Sequence, residues 1–146
     1  MSNCKHLRRV TRDGRNLSHS PRTEGQILQA LQMPDDELRD WIRRATQRFS
    51  LMRAEAIVFL LLHYRRVNSP VLVEELAAGL EVRMRAQIVQ WYVTGLGHQR
   101  TADLRSEVCP QAWTILLESP HDRGIWMQIC FDRFIRSLCR DGLLRS

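Results

Sequence analysis

Apolar residues recur along the chain at the three-to-four-residue spacing of amphipathic helices. Thr23 opens the first helix, with Gln26 at the capping-box position, Ile27, Leu28 and Leu31 as its stripe, and Pro34 as its stop. A second helix, capped by Asp35 or Asp36, carries Leu38, Trp41, Ile42, Ala45 and Phe49 on one face and turns Arg39, Arg43, Arg44 and Arg48 outward. Ser50 caps a third. Its run from Ala56 to Leu62 is apolar nearly all round, which predicts a central, buried helix. Ser69-Pro70 is a cap followed by a proline at the first helical position, so a fourth helix begins there and runs to about residue 80.

Beyond residue 80 the pattern predicts a turn near 79–82, a helix over 83–93, and a stop at Gly95-Leu96-Gly97. Residues 98–108 are polar, with a brief extended piece at Val108-Cys109. Pro110 begins a helix through Glu118, Ser119-Pro120 breaks the chain, and a last helix over about 123–140 places Ile125, Ile129, Phe131, Phe134, Ile135 and Leu138 on its apolar face. The expected fold class is all-α with amphipathic terminal helices, leaving room for a small two-stranded wing.

Length and composition agree with that picture. The chain has 146 residues, 44% apolar and 26% charged, which suits one ordinary globular domain with its own core. The division expected is a basic, flexible arm over 1–22 and a single helical domain over 23–146. Cys4, Cys109, Cys130 and Cys139 have no paired ligand spacing, which points to free thiols in a reducing, cytoplasmic compartment. The N-terminus lacks the apolar segment of a signal peptide, and the apolar run at 56–62 is too short to span a bilayer, so no membrane association is expected.

Charge sharpens the expectation. Lys and Arg number 22 against 16 Asp and Glu, and Lys5 is the only lysine. Within residues 1–22, Lys5, Arg8, Arg9, Arg12, Arg15 and Arg22 face only Asp13, so nearly all of the net +6 lies in the arm. A basic arm on a near-neutral body suits nucleic acid, with Arg8, Arg9 and Arg12 as phosphate contacts. Guanidinium groups match phosphates and guanine edges better than ammonium groups do.

The stretch SPVLVEELAAGLEVRMRAQIVQWYVTGLG over 69–97 then reads as a helix-turn-helix. Ala77 is the small residue at the helix contact. Leu76, Leu80, Val82, Ile88 and Trp91 are the anchors, and Arg83, Arg85, Gln87 and Gln90 form the exposed reading face. Ile88 falls one residue later than the usual spacing, and Glu81 stands where glycine is common.

From residue 35 to 118, the segments LRDWIRRATQRF, RAEAIVFLLLHYRR, VEELAAGLEV, RMRAQIVQWYV, TGLG and CPQAWTILLES, with Asp103-Leu104-Arg105 between the last two, resemble the multiple-antibiotic-resistance-regulator (MarR) family of winged helix-turn-helix repressors. The resemblance implies a transcriptional regulator that binds double-stranded DNA as a homodimer through its terminal helices. Arg83, Arg85 and Gln87 would lie in the major groove, and Arg105, steadied by Asp103, would reach a minor groove.

Two other readings stand beside it. One is an all-helical subunit of a nucleoprotein assembly that holds a nucleic-acid backbone and reads no sequence. The other is a protein–protein adaptor whose Trp41, Trp91, Trp113 and Trp126 are interface residues. The upstream pair of helices, EGQILQALQMPDDELRDWIRRA, is a weaker base reader because Asp35, Asp36, Glu37 and Asp40 crowd the end that would meet phosphate. Catalysis is not expected. The glycines are too dispersed for a phosphate loop, the histidines lack metal spacing, and His121-Asp122 near Ser119 is adjacency rather than triad geometry. No cofactor or metal is expected.

Overall fold

The computed structural model describes residues 8–10, 16–18, 20–118 and 130–145. Within the arm, β1 (Arg8–Val10) and β2 (Asn16–Ser18) pair antiparallel, Arg9 opposite Leu17. Every other element is helical: α1 (Pro21–Leu31), α2 (Asp35–Gln47), a single 3-10 turn (Phe49–Leu51), α3 (Ala54–Arg66), a long stretch Pro70–Glu118, and α6 (Phe131–Arg145). Gly97 breaks the long stretch into α4 (70–96) and α5 (98–118). The fold is all-α, as the apolar spacing predicts.

Local chemistry sets the helix starts. α1 begins two residues earlier than expected, because Ser20 is its cap and Pro21 its first residue. Ser20 Oγ accepts the Thr23 N–H at 3.2 Å. Gln26 is not a capping-box partner; its Oε1 crosses to accept the Arg53 N–H at 2.8 Å and so ties α1 to the start of α3. Ser50 lies in the 3-10 turn, and α3 starts after Arg53 with no side-chain cap. The end of α3 turns through Asn68, at φ 60°, with the Ser69 N–H bonded to Tyr64 O and the Asn68 N–H to Arg65 O. This is the Schellman pattern with asparagine in the left-handed position.

As expected from its composition, α3 is the centre. Residues 54–61 are all buried, and α1 and α4 pack around it. α2 lies across α4 at very close range. A Cβ on Gly79 would stand 2.8 Å from Thr46 Oγ1, so Gly79, not Ala77, is the small residue that lets these helices touch.

Two expectations are corrected here. There is no turn at 79–82. Leu72, Leu76, Gly79, Leu80, Arg83, Met84 and Ile88 form one unbroken buried stripe, and a lone glycine inside such a stripe does not stop a helix whose tertiary contacts continue. The late position of Ile88 follows directly, since Leu80, Met84 and Ile88 are successive turns of the same helix. Residues 98–108 are not a wing. Thr101, Leu104, Val108, Cys109, Ala112 and Leu116 are the buried face of α5. Pro110 sits inside that helix rather than at its start. Both it and Ser106, whose carbonyl loses a partner there, are exposed, so water can satisfy the freed group.

α4 and α5 form an antiparallel hairpin about Gly97. Glu81 and Trp113, equidistant from that glycine along the chain, meet through a 2.9 Å bond from Trp113 Nε1 to Glu81 Oε2. α6 lies against this hairpin and buries Phe131, Phe134, Ile135, Leu138 and Cys139. Its apolar face is therefore occupied within the chain. Ile27 and Ala30 of α1 are buried too, while Leu28 and Leu31 of its expected stripe are half-buried, and Ile125 and Ile129 of the last helix lie outside the described residues.

Three substitutions check this packing. Gly79→Ala is expected to lower thermal stability despite its better helix propensity. The new methyl meets Thr46, and overpacking costs about 1–3 kcal/mol against about 1 kcal/mol of propensity gain. In a Thr46→Ala background the same change is expected to raise the melting temperature, because the obstacle is gone. Gly97→Ala, at φ 82° and ψ 171°, is expected to cost about 1–3 kcal/mol although no atom blocks it, because that conformation is open essentially to glycine alone. Thermal melts of the three variants and the double mutant test all of this.

Candidate nucleic-acid interface

The expected reading face does not form a face. Arg83 is 4% exposed; its guanidinium lies over the Phe49 ring, 4.7 Å from the centroid, and Nη2 reaches Ala45 O at 3.5 Å. Arg85 is exposed and paired with Glu81 one turn earlier, at 3.4 Å. Gln87 is half-buried with Oε1 unpartnered, and Gln90 is exposed. Because α4 begins at Pro70, these residues lie in mid-helix, with no helix N-terminus beside them to enter a groove. Arg105 is half-buried on α5, beside Glu81, Arg85 and Cys109, and Asp103 accepts from Gln99 Nε2 at 3.0 Å instead of steadying it. Arg8 and Arg9 lie in β1, and Arg12 lies outside the described residues.

The arginines of α2 are matched by carboxylates, as are Arg53, Arg85 and Arg145, whereas Arg48, Arg66 and Arg100 are exposed with no ion pair among the described residues. Arg39 and Arg43 share Glu75, at 3.4 and 2.7 Å, and their hydrogen bonds, Arg43's first, hold the Glu75 carboxyl below its usual range. Arg44 pairs with Asp40 at 3.0 Å, and Arg145 with Glu107 at 2.8 Å. The arginine row of α2 is thus largely neutralised.

α6 differs. Arg133, Arg136 and Arg140 follow the i, i+3, i+7 spacing that places them on one face, all are exposed, and none forms an ion pair among the described residues. The Arg136 guanidinium lies 4.4 Å from the centroid of the Trp91 ring, and Tyr92 stands close to Arg136 and Arg140. Burial raises the Tyr92 hydroxyl above its usual range, and the two guanidinium groups partly offset this. No other helix among the described residues presents three unpaired arginines along one face. Their spacing was legible in the sequence, but the carboxylate partners of Arg39, Arg43, Arg44 and Arg85 were not. Trp126 and His121-Asp122 lie outside the described residues, Trp41 is core with Nε1 on Leu51 O, and Trp113 is held by Glu81.

Among the described residues, no group of histidines, cysteines and carboxylates could hold a metal, and no helix is long and apolar enough to cross a membrane. The small cavity beside Arg85, Arg105 and Cys109 does not activate the thiol. Burial pushes Cys109 up to about 11, and the two guanidinium groups only partly counter it. Cys139 is likewise pushed up to about 12 by burial. No protein-family model matches the chain, and no curated protein or solved structure is significantly similar to it.

The thiols offer a direct check. A thiol whose pKa lies at 11 or above is almost entirely protonated at pH 8, and the thiolate is the reactive form. Cys109 and Cys139 are expected to resist iodoacetamide in the native protein and to alkylate rapidly in denaturant. Peptide mass spectrometry after timed labelling measures this. Native labelling of either at the denatured rate would mean that the α5–α6 packing is wrong.

Proposed function

We propose that the protein binds nucleic acid through the sugar–phosphate backbone, along the α6 face formed by Arg133, Arg136 and Arg140 beside Trp91 and Tyr92. The observation that carries this reading is the contrast in pairing: three arginines in register on α6 lack carboxylate partners among the described residues, whereas Arg39, Arg43 and Arg44 of α2 and Arg85 of α4 are matched. Arg133 and Arg140 are about 10 Å apart along the helix axis, and long side chains let the three reach successive phosphates. Trp91, under the Arg136 guanidinium, and the half-buried Tyr92 flank this row, so a base that displaces Arg136 from the ring would find an aromatic surface to stack on. The basic arm over residues 1–22 supplies further phosphate contacts.

This reading is the sequence-independent one. A transcriptional regulator would add base readout, and of the residues expected to perform it Arg83 is buried, Arg85 is ion-paired and Gln87 is half-buried, which leaves Gln90 as the exposed one without an ion pair. Backbone binding needs neither a wing nor a partner copy.

Salt dependence tests it. Each phosphate contact contributes about −0.7 for single strands, or about −0.9 for duplex, to the slope of log K against log salt. The triple variant Arg133→Ala, Arg136→Ala, Arg140→Ala is expected to flatten that slope by roughly 2–3 and to weaken binding equally for matched and scrambled sequences. Arg85→Ala should leave both affinity and slope unchanged. If the wild type binds neither duplex nor single strand, the proposal fails. If Arg85→Ala removes preference for one sequence, the base-reading regulator replaces it.

A further inference from the structure

A cavity of about 230 Å³ opens between the 3-10 turn, the first turn of α3, the middle of α4 and the start of α6. Its deepest group is Arg83. This residue is 4% exposed, yet among the described residues its only hydrogen bond is the long one to Ala45 O, and its Nε–H has no partner. One helical turn further along α4, Gln87 lines the same cavity with a buried Oε1 that is also unpartnered. Buried polar groups are nearly always satisfied, and an orphan on a charged side chain costs more than one on a neutral group. An orphan donor and an orphan acceptor one turn apart, on one cavity wall, mark a place built for a polar occupant.

The charges around the cavity indicate its kind. Arg22 and Arg53 are exposed and line it beside Arg83, which makes three guanidinium groups among the described residues. Two carboxylates among the described residues also line it. Glu55 is engaged, with Oε2 accepting the Phe131 N–H at 2.9 Å and Oε1 within 3.5 Å of Arg53; Asp132 is exposed. The balance favours an anion. At 230 Å³ the cavity lies below the roughly 300–1,000 Å³ of sites for drug-sized ligands, so it suits a group of a few heavy atoms. A phosphate has acceptor oxygens for guanidinium groups, and in its singly protonated form a hydroxyl for Gln87 Oε1. For the dianion, the Gln87 amide can turn and donate instead.

We propose that this cavity is a phosphate-binding site in which Arg22, Arg53 and Arg83 hold the phosphoryl oxygens and Gln87 completes the shell. The site does not depend on the α6 reading. Its phosphate can come from a free small phosphate or from the terminal phosphate of an oligonucleotide.

Calorimetric titration of the full chain with inorganic phosphate, at ionic strength matched with sodium chloride, is the test. Saturable one-to-one binding is expected. Arg22→Ala removes an exposed side chain whose one hydrogen bond among the described residues is to Ser50 O at 3.1 Å, so the fold should be unchanged while affinity falls roughly tenfold. Gln87→Leu should also weaken binding, although an apolar residue there can only help a merely structural core. A second titration compares an oligonucleotide with and without a 5′-phosphate. Tighter binding of the phosphorylated strand, lost in Arg22→Ala, assigns the site to a strand end. Equal binding of the two strands, with inorganic phosphate still bound, assigns it to a small phosphate. No saturable phosphate heat, or wild-type phosphate affinity in both variants, overturns the proposal and leaves the cavity to water.

Discussion

The backbone of Gly97, at φ 82° and ψ 171°, reverses a helical run of 49 residues and lays α5 back along α4. Leu80, Met84 and Ile88 on one arm, and Leu104, Val108 and Ala112 on the other, lie on faces buried in a shared core, and α6 packs against the hairpin they form. Without the reversal α4 would keep its partners α2 and α3, but α6 would lose one wall of its seat. The polar link from Trp113 to Glu81 fixes the register of the hairpin, because an indole N–H buried without an acceptor is costly.

The seat of α6 is also set electrostatically. Glu55 lies in the first turn of α3, and its carboxylate accepts the first N–H of α6. A single negative charge, 7% exposed, thus faces the positive ends of two helix dipoles and has Arg53 beside it. This accounts for an acid inside an otherwise apolar run. It also fixes the rotation of α6 about its axis, since Phe131 and Phe134 must point inward while Glu55 holds the N-terminus. Arg133, Arg136 and Arg140 are then turned outward, with Arg136 over Trp91.

Arginine thus does three separate jobs in this small domain. On α2 it locks helices together through Glu75, which joins Arg39 and Arg43 to α4. At Arg83 it is buried against Phe49, and desolvation lowers its pKa to about 10, still high enough to keep the charge at neutral pH. At Arg133, Arg136 and Arg140 of α6 it remains free of carboxylate partners among the described residues. Overall charge and arginine content do not distinguish these roles. Partners from distant parts of the chain do.

That division marks what each level of description can determine. The all-α class, the buried α3, the cap at Ser69-Pro70 and the end of α4 near Gly97 follow from spacing and from residue-specific backbone chemistry, which are local properties and so legible in the sequence. The continuity of α4 through Gly79 and the helix at 98–108 were also latent in the sequence, as the regular spacings of Leu80, Met84 and Ile88 and of Leu104, Val108 and Ala112. A glycine inside the first run and a proline inside the second carry the opposite local message. Only tertiary packing decides between them: α2 needs the missing Cβ at Gly79, and α5 can place Pro110 on its exposed side. The fate of Arg83 is the clearest case. Its neighbours in sequence suggest an exposed reading residue, but Ala45 of α2, Phe49 of the 3-10 turn and Glu55 of α3 approach it and remove it from solvent. Whether a guanidinium is core, lock or free charge depends on groups dozens of residues away, and periodicity along the chain carries no record of them.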